Sequence, residues 1–272
     1  MNVFNSVINS LLSAYSAMVS WAPAAAGFAV IAALTGVVML LVFRKLSDQE
    51  RIGAAKRKVQ AHLLELRIFR DEPAVMWRAQ GALMKHNLRY LGLMLQPALV
   101  LALPITLLLV HLDAFYGRAP LEIGQPAIVT LAMKRPLDPA APAPQLIAPA
   151  GVAVETPAVR ALDLREVSWR IRPLRRVSGK LQFIVNGRTV VKDIEAGPGA
   201  RFVPGRRVSS AFEGLWHPDE PLIAAPGIEW IDIRHPDSSM RLFGVGMDWT
   251  VWFIVLAMIA GLLLKKPLRV TF

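Results

Sequence analysis

The sequence predicts an α-helical membrane protein with three transmembrane helices and a cytoplasmic helical hairpin, joined to an extracytoplasmic all-β, sandwich-like domain. Three observations lead there. Residues 1–43 contain no Asp, Glu, Lys or Arg. Two further apolar runs, at 90–112 and 247–264, are set off from the first by a basic insert at 44–89. Residues 113–246 then carry short alternating patterns punctuated by Gly and Pro, which read as strands and turns. Composition agrees: 54% of residues are hydrophobic and 19% charged, against roughly 45–50% and about 25% in soluble domains. The chain has no cysteine, which excludes a disulfide framework, a zinc-thiolate site and a thiol nucleophile.

In chain order, residues 1–22 place Val3, Phe4, Val7, Ile8, Leu11, Leu12, Tyr15, Met18 and Val19 at helical spacing, with Asn and Ser on the other face. That pattern predicts an external amphipathic helix lying in the membrane interface. A signal peptide is disfavoured, because the basic n-region is missing and the apolar run is too long. Residues 23–43, PAAAGFAVIAALTGVVMLLVF, form the first span, matching the ~20 residues needed to cross about 30 Å of hydrocarbon.

The insert at 44–89 carries eleven Lys/Arg and five Asp/Glu. Ile52, Val59 and Leu66 repeat every seven residues, as do Ala55, His62 and Phe69, giving one apolar stripe. Pro73 disfavours helix at the residue before it. A second helical pattern follows, with Met76, Ala79, Leu83 and Tyr90 on one side. The two arms predict an antiparallel hairpin, in which His62 and His86 fall near each other if it is symmetric about Asp71, without forming a metal site. The second span, 90–112, tolerates Pro97 and Pro104; the third, 247–264, has Trp249 and Trp252 at one end and Lys265 and Lys266 just past the other, the expected anchors. The basic excess of 44–89 and of the tail 265–272 assigns both to the cytoplasm, leaving the N-terminus and 113–246 outside. The expected location is a bacterial plasma (inner) membrane.

The external domain opens on RPLDPAAPAPQLIAPAG, a linker or irregular edge. EVSWRIRP alternates Val167, Trp169 and Ile171 with polar residues. GKLQFIVNGRTVVKDIEAG is a hairpin turning at Asn186-Gly187. GIEWIDIRHP is a further strand and SSAFEGLW a short helix. Together they suggest a small sandwich of immunoglobulin type. Its acids read as solvated pairs among arginines, and Gly244 and Gly246 as a flexible entry to the third span. The five histidines show no metal-ligand spacing, and neither a nucleophile elbow nor a Walker loop occurs. The expectation is a protein that is not an enzyme and uses no cofactor, metal or specific nucleic acid.

A first span with an outside N-terminus is followed by a basic cytoplasmic hairpin and a second span that opens on a Met-containing amphipathic stretch and carries prolines, the latter two in RKLSDQERIGAAKRKVQAHLLELRIFRDEPAVMWRAQGALMKHNLRYLGLMLQPALVLALPI. This arrangement resembles the YidC/Oxa/Alb membrane-insertase superfamily. The likeness is strongest to its minimal three-span branch, which includes the archaeal YidC-like proteins and the insertase subunit of the endoplasmic-reticulum membrane complex. It covers 1–112 and 247–272. The groove arginine of YidC has no counterpart in these spans, and that branch has a short loop where this chain carries 113–246. The resemblance implies insertion or folding of membrane-protein segments through a polar groove open to cytoplasm and lipid. Candidate groove residues are Thr35, Met39, Arg44, Gln96 and Thr106; Met76, Met84 and Met94 are candidates for a soft contact surface on the hairpin. Implied partners are nascent or unfolded membrane-protein segments, the lipid bilayer, and a ribosome or another membrane subunit at the basic hairpin. The competing reading is a membrane-anchored scaffold or sensor whose external β-domain binds a partner or ligand.

Overall fold

The structure is a computed structural model that describes residues 7–8, 10–12, 14–15, 24–68, 73–200, 202–268 and 270. Of the expected N-terminal amphipathic helix, the described residues, among them Leu11, Leu12 and Tyr15, are helical; the rest of 1–22 lies outside the described residues. The chain divides into two compact units, one of 24–106 with 251–272 and the other of 107–250 with the N-terminal segment.

In the first unit, α1 (Ala24–Leu46) ends on Arg44 and Lys45, which suit the negative end of a helix. Asp48 then caps α2 (Gln49–Ile68): its Oδ1 accepts a hydrogen bond from the Arg51 N–H at 3.0 Å. The third helix, α3, starts at Pro73, a favoured first-turn residue, and runs unbroken to Tyr116 for 44 residues, about 66 Å at 1.5 Å per residue. The second hairpin arm and the second apolar run are therefore one helix, with Pro97 and Pro104 inside it. Ile52 and Ala55 on α2 and Ala79 on α3 are buried, as the predicted stripes require. The His62 and His86 rings stack with centroids 5.2 Å apart. The turn at 69–72 and the expected contact of Phe69 lie outside the described residues, as do the side chains of 73–76.

Two helices are long and apolar enough to cross a membrane, one at Ala25–Leu46 and one at Trp77–Tyr116. The last helix, α4 (Trp249–Lys265), is apolar but shorter, at 17 residues. On α1, Phe28, Ala32, Gly36 and Leu40 are buried at intervals of four, while Val30, Leu34, Val38 and Leu41 are exposed. That buried ridge packs on α4: Phe28 meets the edge of Phe253 at 6.1 Å.

The second unit is β-rich. One sheet orders β3 (Val152–Val154), β5 (Glu166–Pro173), β1 (Ala127–Met133), β9 (Ile228–Ile233) and β8 (Arg207–Val208), with β4 (Val159–Ala161) also on β5. A second orders β2 (Gln145–Ile147), β6 (Val177–Val185) and β7 (Arg188–Ala196). All strand pairings are antiparallel. Val129, Leu131, Val167, Trp169 and Ile171 from the first sheet share a core with Leu181, Phe183, Val190 and Ile194 from the second, so the unit is sandwich-like. Trp169 and Phe183 cross the core edge to face at 5.7 Å. The strand over 166–173 and the hairpin at Asn186-Gly187 match the sequence pattern. Both turn residues have positive φ, 48° and 76°, the type I′ signature. The short helix is one 3-10 turn at Glu213–Leu215.

Two expectations need correction. Gly244 and Gly246 do not form a flexible entry: β10 (Ser239–Leu242) and β11 (Val245–Asp248) pair as a tight hairpin around Phe243 and Gly244, both at positive φ. Nor are all the acids solvated. Glu220 and Lys192 are buried together, because Lys192 occupies an inward position of β7 between Val190 and Ile194.

Candidate functional site

Gly36 decides how closely α1 and α4 approach. A Cβ added there would overlap the Ala257 carbonyl and lie 2.9 Å from its Cα. Gly261 faces the same contact: a Cβ added there would lie 3.8 Å from the Gly36 carbonyl oxygen. Such small residues let two apolar helices associate by backbone-level packing. The two glycines form the floor of an apolar groove of about 360 Å³, whose walls are Met39, Leu40 and Phe43 of α1, Met94 and Leu101 of α3, and Met258 and Leu262 of α4. Three unbranched thioethers give this wall a deformable surface that adapts to differently shaped apolar side chains.

The sequence-derived candidates divide around this groove. Met39 and Met94 line it. Thr35 does not, and its hydroxyl donates to the Ile31 carbonyl at 2.8 Å; Thr106 does the same to Ala102 at 2.8 Å. Arg44 and Gln96 are exposed and lie outside the lining. Met84 is exposed on α3, and the Met76 side chain is outside the described residues. The lining is thus apolar, with its polar candidates turned to backbone or surface. Each proline lacks an N–H, so the carbonyls of Leu93 and Val100 lose their helical donor. Sequence reasoning missed Gly36, Gly261 and Met258. A glycine in each of two apolar runs was the available signal, since small residues mark contacts between membrane helices.

A stripe of exposed side chains continues along α3 through Met84, Leu88, Leu91, Leu95, Leu99 and Leu103. Spacings of three and four keep them on one face.

In the β-rich unit, the end of α3 is tied down locally. Arg118 pairs with Asp113 and with Asp219 at 2.9 Å, and Asp219 also accepts from the Gly205 N–H at 2.8 Å. Backbone bonds from Ala119 to Pro236 and from Ser238 to Gly117, both 2.9 Å, complete the seam. The same unit carries two concavities. One, of about 570 Å³, is lined by the proline-rich loop, including Arg135, Pro136, Pro142 and Pro144, with Arg160 and Asn186. The other, of about 300 Å³, holds Arg206, Glu213, Trp216, His217, Glu229 and Trp230, with the Arg206 guanidinium 4.1 Å from the Trp230 ring centre. Burial and the charge of Arg206 hold His217 below the ordinary histidine range. Hydrogen bonding from Arg172, with Arg170 at 2.8 Å, holds Glu155 below the usual carboxylate range on the sheet surface. Among the described residues, no group of three His, Asp or Glu could hold a metal ion.

No family model, curated protein or solved structure matches the chain.

The close approach at Gly36 makes a local prediction. Gly36→Val forces the helices apart and lowers the thermal stability of the detergent-solubilised chain, by about 1–3 kcal/mol from overpacking. Gly53→Ala, in α2 with 3.6 Å to the nearest atom, leaves stability unchanged or raises it by up to about 1 kcal/mol. Equal melting temperatures for Gly36→Val and the unmodified chain would refute the backbone contact.

Proposed function

We propose that this chain is an insertase-like membrane protein that helps hydrophobic segments of other membrane proteins enter or fold in the bilayer. One observation carries the reading: a methionine-rich apolar groove bounded by α1, α3 and α4. The exposed leucine stripe on α3, which leads from the basic hairpin along the helix, supports it. In this reading α4 is the third span, the N-terminus and the β-rich unit lie outside, and the hairpin and tail lie in the cytoplasm of a bacterial inner membrane. The basic residues of 44–89 and Lys265 and Lys266 support that orientation.

Insertion breaks no covalent bond. Its barrier is the transfer of polar flanks through hydrocarbon, where a charge at mid-bilayer costs about 2.5–3.5 kcal/mol on the lenient scale. The groove takes side chains from one face of an incoming helix, not a whole helix. Its contribution is to hold the apolar segment while the flank crosses. Exposed Gln96 and the donor-poor carbonyls of Leu93 and Val100 sit along α3 beside Met94, where they can hydrogen-bond a passing polar group.

The test is site-specific photo-crosslinking. Probes at Met39, Met94 and Met258 capture nascent membrane proteins, while a probe at Val30, on the exposed face of α1, captures lipid. Gln96→Leu lowers insertion of substrates with short charged tails more than that of purely apolar ones. Topology is checked in the same cysteine-free chain: single cysteines at Ser47 and Ser209 label from opposite sides, Ser209 from outside. Labelling of both from one side would end the three-span reading.

A second reading has its own observation. The 570 Å³ concavity at the proline-rich loop suits a scaffold or sensor that binds a partner outside the membrane. Crosslinks arising only from that loop, with insertion unchanged on depletion, would decide for it.

A further inference from the structure

The hairpin contains a small pocket that the insertase reading does not use. Arg51, Ala54, Ala55 and Lys58 of α2 and His86 and Arg89 of α3 enclose about 100 Å³. The α2 residues fall at i, i+3, i+4 and i+7, one helix face. The two alanines leave space, and cationic side chains stand at its edges. Arg51 is partly compensated by Asp48 at 2.9 Å. Among the described residues, no carboxylate lies within ion-pair distance of Lys58 or Arg89. His86 stacks on His62, whose Nδ1 is engaged by Glu65 at 2.9 Å, so that carboxylate is already committed. Folding therefore gathers like charges around a cavity and, among the described residues, leaves Lys58 and Arg89 without a carboxylate partner, an arrangement that an anion stabilises.

We propose that this pocket is a phosphate-binding site. Arg51, Lys58 and Arg89 hold the phosphate oxygens, and an anionic lipid headgroup is the source that the pocket's position favours. Arg89 immediately precedes Tyr90, where the apolar run of α3 begins, and Arg51 lies in the first turn of α2, just beyond the end of α1. That is the level at which lipid phosphates lie if these helices cross the bilayer, so the lipid source rests on the membrane reading above. The phosphate chemistry does not.

The experiment uses the full chain in two arms. In the first, it is reconstituted into nanodiscs of equal phosphatidylglycerol and phosphatidylcholine, and the lipids retained on release are read by native mass spectrometry. The expected result is preferential retention of phosphatidylglycerol, reduced roughly tenfold or more in the double variant Lys58→Gln/Arg89→Gln. Ala54→Leu, which fills the cavity without touching a charge, causes the same loss; Arg67→Gln, an exposed arginine outside the pocket, does not. In the second arm, inorganic phosphate is added to the chain in detergent. A rise in melting temperature seen in the unmodified chain and absent from both pocket variants, without lipid preference in the first arm, supports the site with free phosphate as its source. The proposal is overturned if the double variant and Ala54→Leu retain phosphatidylglycerol and respond to phosphate as the unmodified chain does. Failure to enter nanodiscs counts against the membrane reading alone, since the detergent arm still decides the pocket.

Discussion

Replacing Glu220 by Ala destabilises the β-rich unit by about 3–5 kcal/mol, the largest effect expected of any single substitution discussed. Its partner Lys192 is fully buried on β7, and its ammonium also donates to the Pro204 carbonyl at 3.4 Å. Removing the carboxylate leaves that charge without a counterion, where water cannot reach it. Glu220 also accepts from the Asp193 N–H at 3.4 Å, so a backbone donor is orphaned as well. The pair itself is not a strong source of stability, because desolvation offsets most of its attraction: burial pushes the Glu220 carboxyl above its usual range despite the adjacent lysine. The double variant Lys192→Met/Glu220→Leu is therefore expected to melt at or above the unmodified temperature, whereas Glu220→Ala melts on the order of 10 °C lower. Matching losses in the single and double variants would show that the site is not a desolvated ion pair.

Acidification gives the second large effect. The His235 Nδ1 donates to the Ile233 carbonyl at 3.0 Å, while Nε2 is buried with no hydrogen-bond partner. Burial first, and the charge of Lys192 second, lower its pKa to about 4. In the unfolded chain the imidazole titrates near about 6.5. Between those values the unfolded state binds a proton that the folded state refuses, so stability is complete above about pH 6.5 and declines down to about pH 4. At 1.36 kcal/mol per unit, the full loss is about 3 kcal/mol. His217, also lowered, acts in the same direction. Glu220 opposes it, since a raised carboxyl takes up its proton in the folded state first. His235→Gln isolates the histidine's share: its stability should change less between pH 6.5 and 4 than that of the unmodified chain. Identical pH profiles would mean that the ring is already solvated.

The elements that the sequence revealed are those whose cause is local. Asn186-Gly187 tolerates the two positive φ values of a type I′ turn, and alternation through Val167, Trp169 and Ile171 needs only one buried face. The approach of His62 to His86 was legible from two short stripes and a tight turn, although the stacked pair is centred on position 74 and not on 71. What stayed hidden either carries a misleading local signal or depends on partners distant in sequence. Phe243 at positive φ hides the β10–β11 turn, because a bulky aromatic is a poor signal for that conformation. Lys192 sits in a strand whose alternation was visible, yet its counterion is at position 220 in an irregular segment. Of the groove lining, residue type marks Met39 as a groove candidate and Met94 as part of a soft surface on the hairpin, while Met258 and the two glycines matter only through α1 meeting α4. The hydroxyls of Thr35 and Thr106 illustrate the opposite error. In an apolar helix a threonine readily bonds the carbonyl four residues back, so a polar residue type does not by itself make a polar cavity.

The Gly36–Ala257 contact also governs when the groove can exist during biosynthesis. Nearly the whole chain separates the two residues, and a ribosome delivers α1 long before α4. Until α4 arrives, the ridge of Phe28, Ala32, Gly36 and Leu40 lacks the partner it packs against, and the wall that carries Met258 is missing. A chain halted after the β-rich unit would therefore present α1 with an open flank. The groove is complete only once α4 has been made.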